Sequence, residues 1–409
     1  MRACLRRFSL TLPFVLLACT ERPVTPPTSA VSAAVDRVSA GYSAVDLGAF
    51  VPVAINESGL ILGNLNGHAA LWNDGVITDL GTLGGPASYA IALNNAGLAV
   101  GYSTTAAAAT CPSGLPSPNC HAFLWDGTTM HDLGTLGGDF SSPTAISSNG
   151  YITGRSKIAS GEYHAFYWDG TTMNDLGTLG GPNSGGSDVD ASGHVVGSSQ
   201  AADGSWHAFE WDGVVMTDLV GLGGVGIGGV GTDALFIAHS GVIAGTSVDP
   251  TGSQRSVVWT RGAVQDLGTL NPGPGAYYDF NSFPVAVNAR GDVTGIACTT
   301  GGPFCSLHGF VWDGVAMHDM GTMGGDESYV ADINARGDVV GTSSTPTEVT
   351  CTEPSGEMCH AFIWDGSFHD LGVPFGGFRS GAVAINNRGD VVGFAGTNRS
   401  SHGVLWRRP

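Results

Sequence analysis

The chain has 409 residues, 64 of them glycine, and only 12% are charged, a balance that excludes a helical enzyme of ordinary composition. Acids outnumber bases 35 to 16, and the formal net charge of −19 sets polyanionic nucleic acid aside as a partner. Apolar residues still make up 42%, enough for a buried core, and Lys157 is the one lysine among the bases.

Residues 1–18 read as a processing signal, because Arg2, Arg6 and Arg7 precede an apolar run from Phe8 to Ala18. Leu16-Leu17-Ala18-Cys19 resembles a bacterial lipobox, which implies cleavage before Cys19 and lipid attachment to its sulfur. The alternative is an ordinary secretory peptide with a chance cysteine. Arg6-Arg7-Phe8-Ser9-Leu10 faintly resembles a twin-arginine signal, although basic starts of this kind are common. Losing the three arginines takes the mature charge to −22. Thr20, where an aspartate would retain a lipoprotein at the inner membrane, implies by the same resemblance an outer-membrane lipoprotein facing the periplasm or the cell surface. Residues 19–41 are rich in Pro, Thr, Ser, Ala and Val without a usable period, so they are expected to form the lipid anchor and a disordered tether. No later stretch is long and apolar enough to span a bilayer, which leaves the lipid as the expected membrane contact.

From residue 42 the chain repeats itself. Tryptophans recur at 72, 125, 168, 211, 259, 312, 364 and 406, with Trp206 off this register. The aspartate of an Asp-Leu-Gly element, or a relative, recurs at 46, 79, 132, 175, 218, 266, 319 and 370. A turn glycine after Ala-Ile-Asn or its relatives recurs at 59, 97, 150, 193, 241, 291, 337 and 389, and a Val-Val-Gly type strand follows each. Asn386-Asn387-Arg388-Gly389 suits a type I turn, and Asp126-Gly127 suits a two-residue hairpin turn that would set His121 opposite Asp132. Four short strands in each repeat of roughly 45 residues, with no room for a helix, predict an all-β fold, a β-propeller of four-stranded blades. A β-solenoid is the alternative, but its rungs usually repeat at half this length or less. With Ala-Ile-Asn innermost, residues 42–409 start with an orphan outer strand and stop at an inner trio. Pairing Tyr42–Gly48 with His402–Trp406 then closes eight blades and leaves no open edge, in a protein expected to be monomeric.

The segments His121-Ala122-Phe123-Leu124-Trp125 through Gly138 and His164-Ala165-Phe166-Tyr167-Trp168 through Gly181 resemble the HAF repeat of predicted bacterial extracellular proteins. The similarity covers nearly all of 42–406 and weakens at Arg255–Trp259, at His308-Gly309-Phe310 and at the terminal units. It implies secretion and repeat architecture and carries no established activity.

Alternating strand directions place the tight turns on one face and the longer, irregular connections on the other. Three of those connections are lengthened, and they hold Cys111/Cys120, Cys298/Cys305 and Cys351/Cys359, which read as three local disulfides bracing insertions in a secreted chain. A metal site is a poor alternative, since none of the three has Cys-x-x-Cys form. Histidines lie eleven residues before the Asp-Leu-Gly aspartate in His68/Asp79, His121/Asp132, His164/Asp175, His207/Asp218 and His308/Asp319, and Arg255/Asp266 keeps the spacing. His402 is expected to meet Asp46 across the closure. A cross-strand polar pair tolerates exchange of His for Arg where a metal ligand would not, so the pairs are read as structural. Asp188 and Asp332 stand where five other repeats have alanine, and a Ca²⁺ site near the axis is weighed for them against solvated acids. The connection after Asp266 is extended by a segment carrying Tyr277, Tyr278, Asp279, Phe280 and Phe283, an aromatic group suited to a protein or glycan partner on the variable face. Packing over the top of the ring is the alternative role for these aromatics.

No Gly-x-Ser-x-Gly, His-Glu-x-x-His, phosphate-loop or haem motif occurs. The expectation is a binding or scaffold module with no resident cofactor. A propeller hydrolase or lyase with a loop-built site for carbohydrates or small metabolites, and a purely structural surface protein, are the alternatives.

Overall fold

A computed structural model describes residues 35–37, 41–105, 111, 119–224, 231–270, 282–299, 305–346, 359–397 and 401–408. The signal 1–18, Cys19, Cys351, Tyr277, Tyr278, Asp279 and Phe280 lie outside the described residues. Among the described residues no helix is long and apolar enough to cross a membrane.

The repeat markers become strands in the expected order. In the third blade, Gly137–Ile146, Ile152–Ile158, Tyr163–Trp168 and Met173–Asp175 pair antiparallel from the inner to the outer edge. Sequence chemistry sets each reversal. Asn386 opens a tight turn, Gly389 donates its N–H to the Asn386 carbonyl at 3.0 Å, and Gly389 takes φ +90°, a value favoured for glycine. Seven such sheets are each built from four consecutive strands, beginning with Val51–Ile55, Ile61–Leu65, His68–Asn73 and Val76–Asp79 and ending with Ser328–Ile333, Val339–Ser343, His360–Trp364 and Phe368–Asp370. The second and third touch through one parallel pairing, Phe140 with Cys120.

The last sheet is composite. Arg379–Ile385, Val391–Gly396 and Ser401–Arg407 are completed by the N-terminal strand Ser43–Gly48, with Ala44 opposite Trp406. Val35–Arg37, placed by the sequence in a disordered tether, corrects that boundary by adding a fifth strand with Val35 opposite Val45. The free edge of Ser43–Gly48 offers unpaired backbone groups that a passing segment can satisfy. Around the ring, the innermost strand of each sheet packs beside that of the next, and Arg379–Ile385 packs beside Val51–Ile55. Four-stranded antiparallel blades in this order make the chain a β-propeller.

The blades join through apolar seams. Phe123, Phe166, Phe209, Phe310 and Phe362, each from a His-Ala-Phe type strand, are fully buried. Their strand neighbours Gly101, Gly154, Gly197 and Gly295 are glycine for a steric reason. A Cβ on Gly197 would overlap the Gly185 carbonyl and meet the Phe209 ring at 2.9 Å, and the other three are equally crowded.

Candidate functional site

The variable face carries the histidines. In the pairs of His68 with Asp79, His121 with Asp132, His164 with Asp175, His207 with Asp218 and His308 with Asp319, the imidazole Nδ1 lies 2.8–3.0 Å from a carboxylate oxygen. His402 meets Asp46 at 2.9 Å. The ladder differs from the expected one. Trp125 stands opposite Met130 and Phe123 opposite Asp132, because the reversal centres one residue later, on Gly127-Thr128, while the Asp126 carboxylate accepts from the N–H groups of Thr128 and Thr129 at 2.8 Å. His121 therefore reaches Asp132 diagonally. Across the closure, likewise, Asp46 stands opposite Val404 rather than His402. The aspartate is held from its other side, since Gly134 N–H donates to Asp132 at 2.8 Å and Gly134 takes φ +73°, which accounts for the recurrent Asp-Leu-Gly. Burial raises the Asp132 carboxyl, but the hydrogen bonds from His121 and Gly134 outweigh it and hold the group below its ordinary value.

Two details depart from the sequence pattern. Arg255 does not pair with Asp266: its Nε lies 3.0 Å from Asp249, an acid in the connection just before its own strand. His360, with a separation of only ten, still bonds Asp370 at 2.9 Å, because the Asp365-Gly366-Ser367 turn is one residue shorter.

Asp188 and Asp332 do not converge. They lie on Gly180–Val189 and Ser328–Ile333, in blades separated by two others. Each follows a one-residue bulge that re-aims the side chain into the seam. Asp188 accepts from Val189 N at 2.8 Å and from Ile237 N on the next blade at 3.0 Å, and Asp332 accepts from Ile333 N and Ile385 N at the same two distances. Burial pushes both carboxyls up to about 6. Their oxygens are engaged as staples between blades, which corrects the Ca²⁺ reading. Among the described residues no three His, Cys, Asp or Glu side chains come together as a metal site.

Cys111 bonds Cys120 and Cys298 bonds Cys305. Cys359 is disulfide-bonded, while Cys351, its expected partner, lies outside the described residues. Of the aromatic insertion only Phe283 is described. It lies half-buried on the inner strand Ser282–Val287, opposite Ile296, so it belongs to a blade rather than to the free part of a loop.

Sequence reasoning missed the role of the asparagine in Ala-Ile-Asn. On the tight-turn face Asn288 Nδ2 donates to the Asn334 carbonyl, Asn334 to Asn386, Asn386 to Asn56, Asn56 to Asn94, and Asn94 to Ser147, all at 3.0–3.2 Å. Arginines reinforce the same face. Arg290 and Arg388 pair with Asp292 and Asp390 in their own turns, and reach the Arg336 and Ser58 carbonyls of the following blades. A polar cleft of ≈ 570 Å³ where the last sheet meets the first blade is lined by Arg388 and Arg407, but these are bound to Asp390 and Asp74.

A different arrangement lies at the variable end of the third blade. Arg155, half-buried on Ile152–Ile158, has its guanidinium carbon 6.0 Å from the Phe140 ring centre and 5.7 Å from that of Tyr163. Lys157 lies 5.7 Å from the same Tyr163 ring and is paired with Asp139 at 3.0 Å. Tyr89 and Tyr102 stack at 5.2 Å and share an apolar cluster with Phe140 and Tyr163. Burial draws the Arg155 guanidinium below its ordinary value. The alternation that sets these groups on one face is legible in sequence, but their convergence needs the strand Gly137–Ile146 to lean toward the second blade.

No family model matches the chain, and no curated protein does. Among solved structures, the β-propeller domain of the Trilobed protease from Pyrococcus furiosus matches 83% of this chain and 98% of its own at 9% identity, with a TM-score of 0.44. Putative TolB from Agrobacterium tumefaciens matches 55% of this chain and 82% of its own at 13% identity and a TM-score of 0.36. The gluconolactonase XC5397 from Xanthomonas campestris matches 94% and 99% at 10% identity and 0.34. The fold of this chain rests on its own strand pairings, and no activity passes to it from such distant likenesses.

Proposed function

We propose that the chain is a secreted lipoprotein whose propeller acts as a binding or scaffold module, taking a protein or glycan partner on its variable face. The observation that carries this reading is the contrast between the two faces. Most of the tight turns on one face are tied to the next by asparagines and arginines. The other face holds the lengthened connections, the described disulfides and the aromatic–cation cluster. Variable loops on a rigid ring are the usual place for recognition. The resemblance to HAF repeats and to a lipobox supports the extracellular, membrane-tethered setting, with Cys19 carrying the lipid and the outer membrane as the location.

The test uses the full chain carrying Cys19→Ala, which keeps every blade and removes the anchor. Immobilised and offered a set of defined glycans and purified envelope proteins, it is expected to retain a partner. Substitutions on the variable face, including Tyr277→Ala with Tyr278→Ala, should reduce capture, and Arg290→Ala on the other face should not. Capture insensitive to variable-face changes, or absent altogether, would overturn the reading.

A further inference from the structure

Arg155 differs from five paired arginines of the propeller. Arg255, Arg290, Arg336, Arg388 and Arg407 each hold a carboxylate, from Asp249, Asp292, Asp338, Asp390 and Asp74 in turn. Arg155 has no hydrogen bond or carboxylate partner among the described residues, although it is half-buried between two aromatic rings in a chain of net charge −19. Asp139, the acid nearest in the strand order, is occupied by Lys157. Aromatic faces stabilise a guanidinium but leave its in-plane N–H donors without acceptors.

Space lies beside it. The residue of the fourth blade that faces Arg155 is Gly185, and a Cβ there would meet only the Arg155 Cβ, at 3.9 Å. At the same place in the other blades stand Val51, Tyr89, Ser142, Asp233, Phe283, Tyr329 and Gly381. The one other glycine is no gap, since a Cβ on Gly381 would meet the Phe394 ring at 2.6 Å. The third–fourth seam therefore combines a planar cation without a carboxylate among the described residues, an aromatic ring at its rim and, beside Gly185, room that no described side chain other than that of Arg155 enters within 4 Å.

We propose that this seam is a binding site for a carboxylate-bearing saccharide, with the carboxylate received by Arg155 and a sugar face laid on Tyr163. The proposal rests on the variable face being the binding face and names its ligand class. A planar guanidinium fits a carboxylate through two parallel N–H···O bonds. The overall negative charge disfavours a polyanion such as nucleic acid or polyphosphate, whereas one carboxylate on an otherwise neutral, hydroxylated ring meets little repulsion. Half-buried neutral amides at the rim, Asn183 and Gln200, bonded to each other at 2.9 Å, add polar partners suited to hydroxyls.

Calorimetric titration of the full chain carrying Cys19→Ala with glucuronic and galacturonic acid and their methyl glycosides, against glucose, galactose and acetate, tests this. Binding of an acidic sugar and of neither the neutral sugars nor acetate is expected. Arg155→Met should weaken it by about tenfold or more while raising the unfolding temperature of the free protein, because an unpaired charge is replaced by an apolar chain. Gly185→Leu, which fills the opening and leaves the charge in place, should also block binding, and it keeps the test valid if Arg155→Met fails to fold. Neutral sugars binding equally well, acetate competing as well as a uronate, or uronate binding unchanged in both variants would overturn the proposal. A chain that retains some other defined glycan or protein on its variable face but no uronate refutes this site alone, whereas a chain that retains nothing refutes the wider reading as well.

Discussion

Individual side chains in this propeller act mainly as links between neighbouring blades. Asn386 shows the cost of one link. Its Oδ1 accepts from Arg388 N and Asp390 N at 3.0 Å, and its Nδ2 donates to Asn56 across the junction of chain ends at 3.1 Å. Asn386→Ala leaves these buried groups unsatisfied and is expected to lower stability by about 2–4 kcal/mol in denaturant unfolding. Asp188 and Asp332 bring a pH dependence of known sign. Their folded-state values are raised to about 6, so the folded protein holds these protons more tightly than the unfolded chain does. The associated stability is complete below the ordinary carboxylate range and is lost as pH rises through about 6, on the order of 1–3 kcal/mol for each group. Between pH 4 and 7 the fall in unfolding temperature with rising pH should be smaller in the variant carrying Asp188→Asn and Asp332→Asn than in the parent. Equal slopes would show that the staples are not titrating.

At the scale of strands, the Val-Val-Gly glycine matters because the first and second strands approach closely under a phenylalanine ring. Gly197→Ala is expected to cost about 3 kcal/mol or more, since neither the Gly185 carbonyl nor the buried Phe209 ring can retreat. The same change at Gly213, a hairpin-tip glycine with nothing within 4 Å, tests left-handed backbone strain alone at φ +98° and should cost less. Thermal unfolding of the two variants separates crowding from backbone strain. The His/Asp pairs belong to this scale too, because each ties the start of a third strand to the end of a fourth. They are partly solvent-exposed, so they act more as guides to hairpin geometry than as large stabilising terms.

For the whole molecule the junction of the chain ends is decisive. Ser43–Gly48 buries Ala44, Val45 and Leu47 and pairs with the strand that carries the fully buried Trp406. A chain beginning at residue 50 would bare that edge and break the ring of packed inner strands. It should unfold at markedly lower denaturant concentration and associate through the exposed strand, as sedimentation would show. Unchanged stability would mean that the N-terminal strand is an accessory.

Strand identity, strand order and the division into a regular and a variable face were legible from the sequence, because apolar alternation and turn chemistry repeat locally in every unit. The His/Asp partnership was legible for the same reason, although its diagonal geometry was not: one residue of slack in the Asp-Gly reversal changes the ladder without changing which side chains can meet. Only the tertiary structure decided what lies between blades. The asparagine chain, the capture of Arg255 by Asp249, the engagement of Asp188 by Ile237 N, and the isolation of Arg155 beside Gly185 depend on how strands lean and pack laterally. Those contacts join residues that no periodicity within a strand relates. A carboxylate read alone as a candidate metal ligand becomes a backbone staple once the neighbouring blade supplies its N–H, and an arginine of no special sequence context becomes conspicuous once none of its described neighbours supplies an acid.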